Sequence, residues 1–356
     1  MTNDKGILIK NIFYMLSYSF TVLKKDGYEG VGSEEFDHAG DLFCEILNRG
    51  ISQQLKQGLF KTYISKNEDL TAVRGKIDLN RQIQIKIQKK QIVACEYDEL
   101  SVNNLFNQIL KTTSMYFLRD KSVSKERKDR LRKLMLFFDE VDELPIKAIP
   151  WEQLMFQRNN RTYEMLINIC RLAIEGYLHT TELGDLKMPL FSEDNMANLF
   201  ESFVAEYYKE EIKKIDPKVS VNSQKKLEWD TAETDDPATI RLLPNMYMDI
   251  KLVGKNQTLI IDTKYYGQEL TGGTGIDRFH TDNLYQIFSY VKNEEAQTSN
   301  EVAGMLLYAR TQDSKLLDNH EFTATGNKFG VRSLDLNTDF SEIQSQLNGI
   351  VKDYFA

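Results

Sequence analysis

Two aliphatic segments that lie close together in the chain carry charged residues where a simple buried strand would have none. The first is Met248-Asp249-Ile250, and the second is Ile260-Ile261-Asp262-Thr263-Lys264. Side chains alternate along a strand with a period of two, so Asp262 and Lys264 project from the same face. This pattern predicts a sheet in which one face is buried as core and the other carries charge.

The residues between the two segments predict an antiparallel hairpin with a tight turn at Lys255-Asn256. Such a turn pairs Gly254 with Gln257. Counting back along the ladder then sets Asp249 opposite Asp262, and side chains paired in this way have Cβ atoms about 4.5–5.5 Å apart. Lys-Asn is not the Asn-Gly pair that hairpins favour, and a slip of one residue turns the first acid to the other face.

Two carboxylates at that separation repel each other unless a cation lies between them. A hard divalent ion such as Mg²⁺ prefers oxygen ligands, so Asp249 and Asp262 are candidate metal ligands and Lys264 is a candidate catalytic residue. These groups suit phosphodiester hydrolysis, in which positive charge stabilises the transition state. The alternative is a surface ion pair, because acidic-x-Lys triplets also occur elsewhere, for example at Glu211-x-Lys213.

Other side chains are candidates for the same site. Glu201 flanks the apolar stripe of a predicted helix, and it is either a third metal ligand or a solvent-exposed acid. Gln286 and Tyr290 lie four residues apart on one face of a later predicted helix, where they could contact DNA phosphate, hold Lys264 or serve only the fold. His280 lies near the proposed site in sequence, with a structural role as the favoured interpretation.

Several segments together resemble the McrC family of PD-(D/E)xK nucleases. The resemblance rests on Asn11-Ile12-Phe13-Tyr14, Leu242-Leu243-Pro244, Met248-Asp249-Ile250, Asp262-Thr263-Lys264 and Asn283-Leu284-Tyr285-Gln286, so it spans almost the whole chain. The Pro-Asp dipeptide that gives the superfamily its name is absent, since Pro244 lies five residues before Asp249.

The resemblance implies an activity and a partner. McrC-like proteins are cleavage subunits of McrBC restriction systems, so it implies a Mg²⁺-dependent type IV restriction endonuclease for DNA with modified cytosine such as 5-methylcytosine. The implied catalytic residues are Asp249, Asp262 and Lys264, with Glu201 as a further metal ligand. The implied partner is a hexameric McrB-like GTPase ring whose GTP hydrolysis this chain stimulates. The sequence has no G-x-x-x-x-G-K-[ST] phosphate loop, so GTP is expected on the partner.

The pattern of apolar residues predicts an α/β protein with two domains. Residues 189–356 follow the order helix, three strands, helix, strand, which is the αβββαβ order of a PD-(D/E)xK core with a mixed sheet. Residues 1–188 are expected to form a mixed α+β domain that binds the partner.

A β-rich module is predicted over residues 60–97 of the N-terminal domain. Isoleucines alternate there with polar residues, as expected of a strand, at Ile83, Ile85 and Ile87. The segment Arg74-Gly75-Lys76 in this module is the candidate contact with the GTPase ring, through Arg74 and Lys76.

Charge and cysteine usage restrict where the protein acts. The net charge is −8, so contact with double-stranded DNA must be confined to a patch or shared with a partner. The basic run over residues 119–133 is either a solvated helix face or a surface for DNA or a partner. No apolar run approaches the length of a membrane span, and the isolated Cys44, Cys95 and Cys170 are typical of reduced thiols in a cytoplasmic protein.

Two alternative functions fit parts of this pattern. One is a regulator of the partner GTPase that has a nuclease fold but does not cut. The other is a stand-alone repair nuclease of the RecB type, which the spacing Gln286-x-x-x-Tyr290 resembles. The intact set of Asp249, Asp262 and Lys264 favours a cutting enzyme over the regulator.

Overall fold

A computed structural model of the chain describes every residue except 1, 2, 5, 6, 25–27, 29, 158–160, 182–192, 232–235, 266–269, 273–276, 311–318 and 356. The chain forms two units. The first joins residues 1–42 to residues 189–356, and the second comprises residues 43–188. The boundary predicted near residue 188 falls in the segment 182–192, which lies outside the described residues.

The described chain contains both helices and strands. The helices are α1 (Ile9–Ser19), α2 (Ala39–Gln57), α3 (Leu79–Ile87), α4 (Leu105–Arg119), α5 (Lys125–Met135), α6 (Arg161–Thr181), α7 (Glu193–Ile215), α8 (Pro237–Ile240), α9 (Thr281–Glu295) and α10 (Phe340–Phe355). The strands are β1 (Asn3–Asp4), β2 (Ile7–Leu8), β3 (Thr62–Leu70), β4 (Lys76–Ile77), β5 (Val93–Ser101), β6 (Ser220–Leu227), β7 (Met246–Val253), β8 (Gln257–Lys264), β9 (Leu270–Gly272), β10 (Asp277–Phe279), β11 (Glu301–Arg310), β12 (His320–Ala324) and β13 (Asn327–Asp335).

The first unit contains a six-stranded sheet in the order β12-β13-β11-β8-β7-β6. Strand β11 runs parallel to both β8 and β13, whereas β7 is antiparallel to β6 and β8, and β12 is antiparallel to β13. The sheet is therefore mixed, as predicted. The predicted order of elements is also present, as α7, β6, β7, β8, α9 and β11, with short α8 and the β9–β10 pair inserted.

Helix α9 packs closely against this sheet. Ile287 and Val291 of α9 join Met248 and Ile260 in one buried cluster. Gly304 of β11 makes this close approach possible, because a Cβ at that position would lie 2.8 Å from Ile287 Cγ1 and 2.8 Å from Val291 Cγ2. Tight packing here fixes the position of the polar side chains that α9 carries.

The N-terminal segment belongs to the first unit, whereas we expected it in the N-terminal domain. The amide of Asn11 is buried and donates hydrogen bonds to the carbonyl oxygens of Leu336 (2.9 Å) and Thr338 (2.7 Å). The ring of Tyr18 packs edge-on against Phe203, with centroids 5.7 Å apart. Contacts between residues so distant in sequence leave no local pattern, so the grouping could not be seen in the sequence.

The second unit combines a three-stranded antiparallel sheet, in the order β3-β5-β4, with helices α4, α5 and α6. Gly75 precedes β4 with φ +68°, and a Cβ there would meet the Glu96 carbonyl oxygen at 2.5 Å. Only glycine fits this position. Among the described residues, no helix has the length and apolar character needed to cross a membrane.

The predicted strand through Ile83, Ile85 and Ile87 is wrong, because these residues form helix α3. Asp78 caps the helix by accepting a hydrogen bond from the Arg81 amide at 3.2 Å. Ile85 is the buried member, whereas Ile83 and Ile87 are 60% and 75% exposed. The spacing of the isoleucines at every second position is typical of a strand, but Ile83 and Ile87 lie on the outer face of a helix.

Candidate active site

The hairpin of β7 and β8 has the register expected from the sequence. The paired residues run from Val253 opposite Thr258 to Ile250 opposite Ile261, and the Gly254 amide donates to the Gln257 carbonyl at 2.9 Å. The next step along this register brings Asp249 of β7 beside Asp262 of β8. The two acids therefore come from adjacent strands of one hairpin.

Strand β7 becomes irregular at Asp249. Oδ2 of Asp249 accepts two hydrogen bonds from Thr263, one from its backbone amide at 2.7 Å and one from its hydroxyl at 2.8 Å. On the other side of β7 lies β6, in which Gln224 has φ +49°. Its neighbours Ser223 and Lys225 pair with residues of β7, whereas Gln224 does not. The Asp249 carboxylate thus accepts the hydrogen bond that a backbone carbonyl of β7 would accept in a regular pair of strands. This bond holds the Asp249 side chain against β8.

Asp262 is 1% exposed and lies 2.6 Å from the Lys264 ammonium through Oδ2. Despite this ion pair, neither carboxylate oxygen of Asp262 accepts a hydrogen bond of good geometry from the described residues. Burial raises the pKa of Asp262. The positive charge of Lys264 opposes this rise, and the negative charges of Asp249 and Glu201 add to it, so that the pKa is about 7. A buried carboxylate in this condition is unstable as an isolated anion and is suited to a further cation.

Helix α9 supplies the group that orients Lys264. The Lys264 ammonium donates to Gln286 Oε1 at 3.0 Å, and Gln286 Nε2 donates to the Tyr290 hydroxyl at 2.8 Å. Burial raises the pKa of Tyr290, and the charges of Asp262 and Asp249 contribute to the rise. The five side chains therefore form one contiguous polar site, in which Gln286 and Tyr290 support the lysine.

Glu201 approaches the site from helix α7. Burial raises its pKa, and the negative charge of Asp249 adds to this effect while Lys264 opposes it. Its Oε1 lies 3.4 Å from Nε2 of Gln224, the residue with positive φ beside Asp249. Glu201 is thus placed near the two aspartates, whereas its role as a metal ligand stays a prediction.

Comparison with known proteins places the chain in a family. Residues 3–309 match the family model described as the McrBC 5-methylcytosine restriction system component. The chain belongs to this McrBC family. It is also 23% identical over 351 residues to the type IV methyl-directed restriction enzyme EcoKMcrBC of Escherichia coli K12, covering 98% of each chain.

One solved assembly of McrB with bound McrC has a similar fold. The chain matches a structure of Thermococcus gammatolerans McrB AAA+ hexamers with bound McrC at a TM-score of 0.52 and 15% identity, covering 96% of this chain and 78% of that one. A second structure, of the T. gammatolerans McrBC complex, matches at a TM-score of 0.44 and 19% identity, covering 57% of this chain and 58% of that one.

The other predicted residues of this McrBC family member make local contacts. His280 occupies the N-cap position of α9, where its carbonyl accepts a hydrogen bond from the Leu284 amide at 3.2 Å. Arg74 stacks over the Tyr97 ring at 4.0 Å and lies 3.3 Å from Glu99, while Lys76 is exposed on β4. The roles predicted for these three residues in the site and in partner binding stay predictions.

Thr263 and Gln224 are parts of the candidate site that the sequence did not reveal. Strand alternation assigns Thr263 to the face opposite Asp262, yet its amide and hydroxyl both hold Asp249. Gln224 contacts Glu201 from a left-handed backbone conformation that no sequence signal marked. Both depend on the local irregularity of β7, and irregular strands are frequent next to active sites.

Proposed function

We propose that this chain is the DNA-cutting subunit of a type IV restriction complex, with a PD-(D/E)xK core, that acts on DNA containing modified cytosine. The observation that carries the proposal is the state of Asp262, whose buried oxygens lack hydrogen-bond donors among the described residues while Lys264 lies beside them. Membership of a restriction-system family supports DNA as the substrate. The buried free cysteines fit action in the cytoplasm.

The residues present fit a divalent metal ion. Asp262 and Asp249 offer hard oxygen ligands, the type that Mg²⁺ prefers. Among the described residues, no three His, Cys, Asp or Glu side chains form a group that could hold a metal. We therefore assign the ion to the two aspartates together with ligands from outside the chain. Glu201 would have to move towards the aspartates to become a third ligand, and that role stays a prediction. When bound, the ion would supply positive charge that stabilises the negative charge developing on the phosphate oxygens during hydrolysis.

Lys264 is the catalytic group that the chain itself provides. Asp262 and Gln286 hold its ammonium from two sides, so it is oriented before the substrate arrives. A positioned positive charge stabilises the negative charge that develops on phosphorus-bound oxygens in the transition state, and it can also orient the attacking water. Tyr290 fixes Gln286 in turn, so both act as positioning residues for the lysine.

The partner that we propose is a McrB-like GTPase ring, since a relative of similar fold is McrC bound to McrB AAA+ hexamers. We propose that the second unit makes this contact. The sheet of its β-rich module exposes large apolar side chains. Tyr63 is 72% exposed and lies opposite Leu100, which is 51% exposed and belongs to the end of β5 just beyond the module. Exposed apolar surface of this kind marks protein interaction sites. Arg74 and Lys76 lie in the same module, and we propose that the contact stimulates GTP hydrolysis by the ring.

A reconstituted cleavage assay tests the function as a whole. The purified chain is mixed with the McrB-like GTPase, GTP, Mg²⁺ and DNA containing 5-methylcytosine, and each component is then omitted in turn. We expect cleavage only in the complete mixture. Cutting by the chain with Mg²⁺ alone identifies a stand-alone nuclease instead. Full stimulation of GTP hydrolysis without any DNA cleavage identifies a regulator. Either of these two results overturns the proposal.

A further inference from the structure

Helix α5 concentrates positive charge on a protein whose net charge is −8. Its eleven residues include six basic and two acidic side chains, a net charge of +4. Leu131 is its only buried residue, so most of the helix surface is available to solvent. A local patch of this sign on an acidic protein is the electrostatic pattern of a surface that binds a polyanion.

Three arginines converge beside this helix on one carboxylate, Glu45 of α2, whose side chain is 0% exposed. Arg130 contacts it as a fork, with Nη2 at 2.6 Å from Oε2 and Nη1 at 3.3 Å from Oε1. Nε of Arg49 lies 2.7 Å from Oε1, and Nε of Arg127 lies 3.5 Å from Oε2. One arginine would neutralise the buried acid, so the cluster keeps two surplus positive charges.

Glu45 also holds these guanidinium groups in place before any ligand binds. The Asn48 amide donates to the Arg127 carbonyl at 3.1 Å, which attaches α5 to α2 next to the cluster. Arg130 remains 43% exposed at its side chain and Arg49 remains 26% exposed, so both reach solvent from fixed positions. Arginines ordered in advance lose less conformational entropy when they bind phosphate groups.

We propose that α5 and Arg49 form a binding surface for the phosphate backbone of double-stranded DNA in the second unit. This inference rests on the proposed function, because a nuclease subunit must hold its substrate. The helix is about 16 Å long, and duplex DNA carries one charge per ~1.7 Å of its axis, so several phosphates can face it at once.

The composition of the surface favours DNA over a protein ligand. Protein interfaces are built around apolar cores in which charged residues are depleted, whereas α5 exposes mainly charged side chains. Leu136 and Phe137, which follow the helix, are 76% and 65% exposed. They are the apolar groups that an acidic protein partner would use, so such a partner is the alternative outcome.

Binding of DNA to the full-length chain tests the inference without cleavage. Fluorescence anisotropy with a labelled duplex of about 30 base pairs is measured in EDTA from about 0.05 to 0.2 M salt. The variant Lys125→Gln/Lys128→Gln/Lys133→Gln removes three charges from α5 and leaves the Glu45 cluster intact. The control Lys56→Gln/Lys86→Gln/Lys90→Gln removes three charges from exposed positions elsewhere in the same unit.

We expect the α5 variant to bind DNA at least about tenfold more weakly than the wild type at ~0.1 M salt. The slope of log affinity against log salt concentration should become shallower by an amount that corresponds to about two to three lost phosphate contacts. The control should stay within about threefold of the wild type. Equal losses in the two variants, or no binding by the wild type at ~0.05 M salt, overturn the inference. If the α5 variant no longer binds the GTPase ring but keeps the DNA affinity of the wild type, the inference is overturned as well, and the ligand of α5 is a protein.

The same assay separates this inference from the proposed function. The α5 substitutions act on a different surface from Asp262, so they should weaken DNA binding by the same factor in an Asp262→Asn background as in the wild type. If DNA binding depends on α5 but the reconstituted complex never cuts, the nuclease proposal fails while the DNA-binding surface stands. If the complex cuts but the α5 variant binds DNA normally, the reverse holds.

Discussion

Replacing Asp262 with Asn is expected to lower the rate of DNA cleavage by at least ~10²-fold while leaving assembly with the GTPase ring intact. The substitution keeps the size of the side chain but removes the charge that pairs with Lys264 at 2.6 Å. It also removes the anionic ligand expected to hold the metal ion. Cleavage of 5-methylcytosine-containing DNA and GTP turnover are measured in the same reaction, so that loss of chemistry is distinguished from loss of the complex.

The same substitution should stabilise the protein in the absence of metal. Burial raises the pKa of Asp262 to about 7, so ionising this group costs the folded state more than the unfolded state. The stability linked to its proton is present at low pH and is lost as the pH rises from about 4 towards 7. At pH 8 in EDTA, Asp262→Asn is therefore expected to melt a few degrees higher than the wild type.

The exposed Asp282 on the first turn of α9 provides the matched control. Asp282→Asn removes one negative charge without touching the polar site, so cleavage and melting temperature should both stay near the wild-type values. Wild-type cleavage by Asp262→Asn would show that the site lies elsewhere. A lower melting temperature would instead indicate that the Asp262–Lys264 pair stabilises the fold more than burial of the acid costs.

The double substitution Ile83→Asp/Ile87→Asp is expected to weaken binding to the McrB-like ring by at least ~10²-fold. Both isoleucines lie on the outer face of α3, so the change should leave the fold of the second unit intact. They are exposed apolar residues of the β-rich module that we propose binds the ring, and charges buried in such a contact lose their hydration without gaining a partner. Ring binding is measured by sedimentation, and stimulation of GTP hydrolysis is measured in parallel.

Met155 serves as the control for this prediction, because it is 81% exposed in the second unit but lies outside the β-rich module. Met155→Asp should bind the ring as the wild type does. The isolated chain carrying Ile83→Asp/Ile87→Asp should keep the wild-type melting temperature. Undiminished stimulation of GTP hydrolysis by the double variant would contradict the assignment of the module to partner binding.

Much of the candidate site was predictable because it lies within one hairpin. Pairing of adjacent strands is set by the turn, so counting from Gly254 and Gln257 gave the register that brings Asp249 to Asp262. The position of Lys264 on the same face as Asp262 follows from the alternation of side chains along a strand. The link from Lys264 to Gln286 crosses from the sheet to α9, and the sequence alone does not distinguish it from a contact with DNA or a purely structural role.

The parts that were not predictable depend on long-range packing or on local irregularity. The strand expected through Ile83 failed because tertiary contacts decide between helix and strand when apolar residues are sparse. Gln82, for example, is held by a hydrogen bond between its side chain and the Ala94 amide at 2.7 Å. The position of Asn11 depends on carbonyl groups more than 300 residues away in the sequence. The roles of Thr263 and Gln224 depend on the interrupted strand pairing at Asp249 and on the left-handed backbone of Gln224 in β6.

The most direct test of the metal site is a titration of the purified chain with Mn²⁺ as a stand-in for Mg²⁺, followed by calorimetry at pH 8. We expect saturable binding by the wild-type protein and by the Asp282→Asn control. Asp249→Asn and Asp262→Asn should each bind at least about tenfold more weakly, because each removes one of the two anionic ligands. Wild-type affinity in both aspartate variants would contradict a metal centre formed by these two residues.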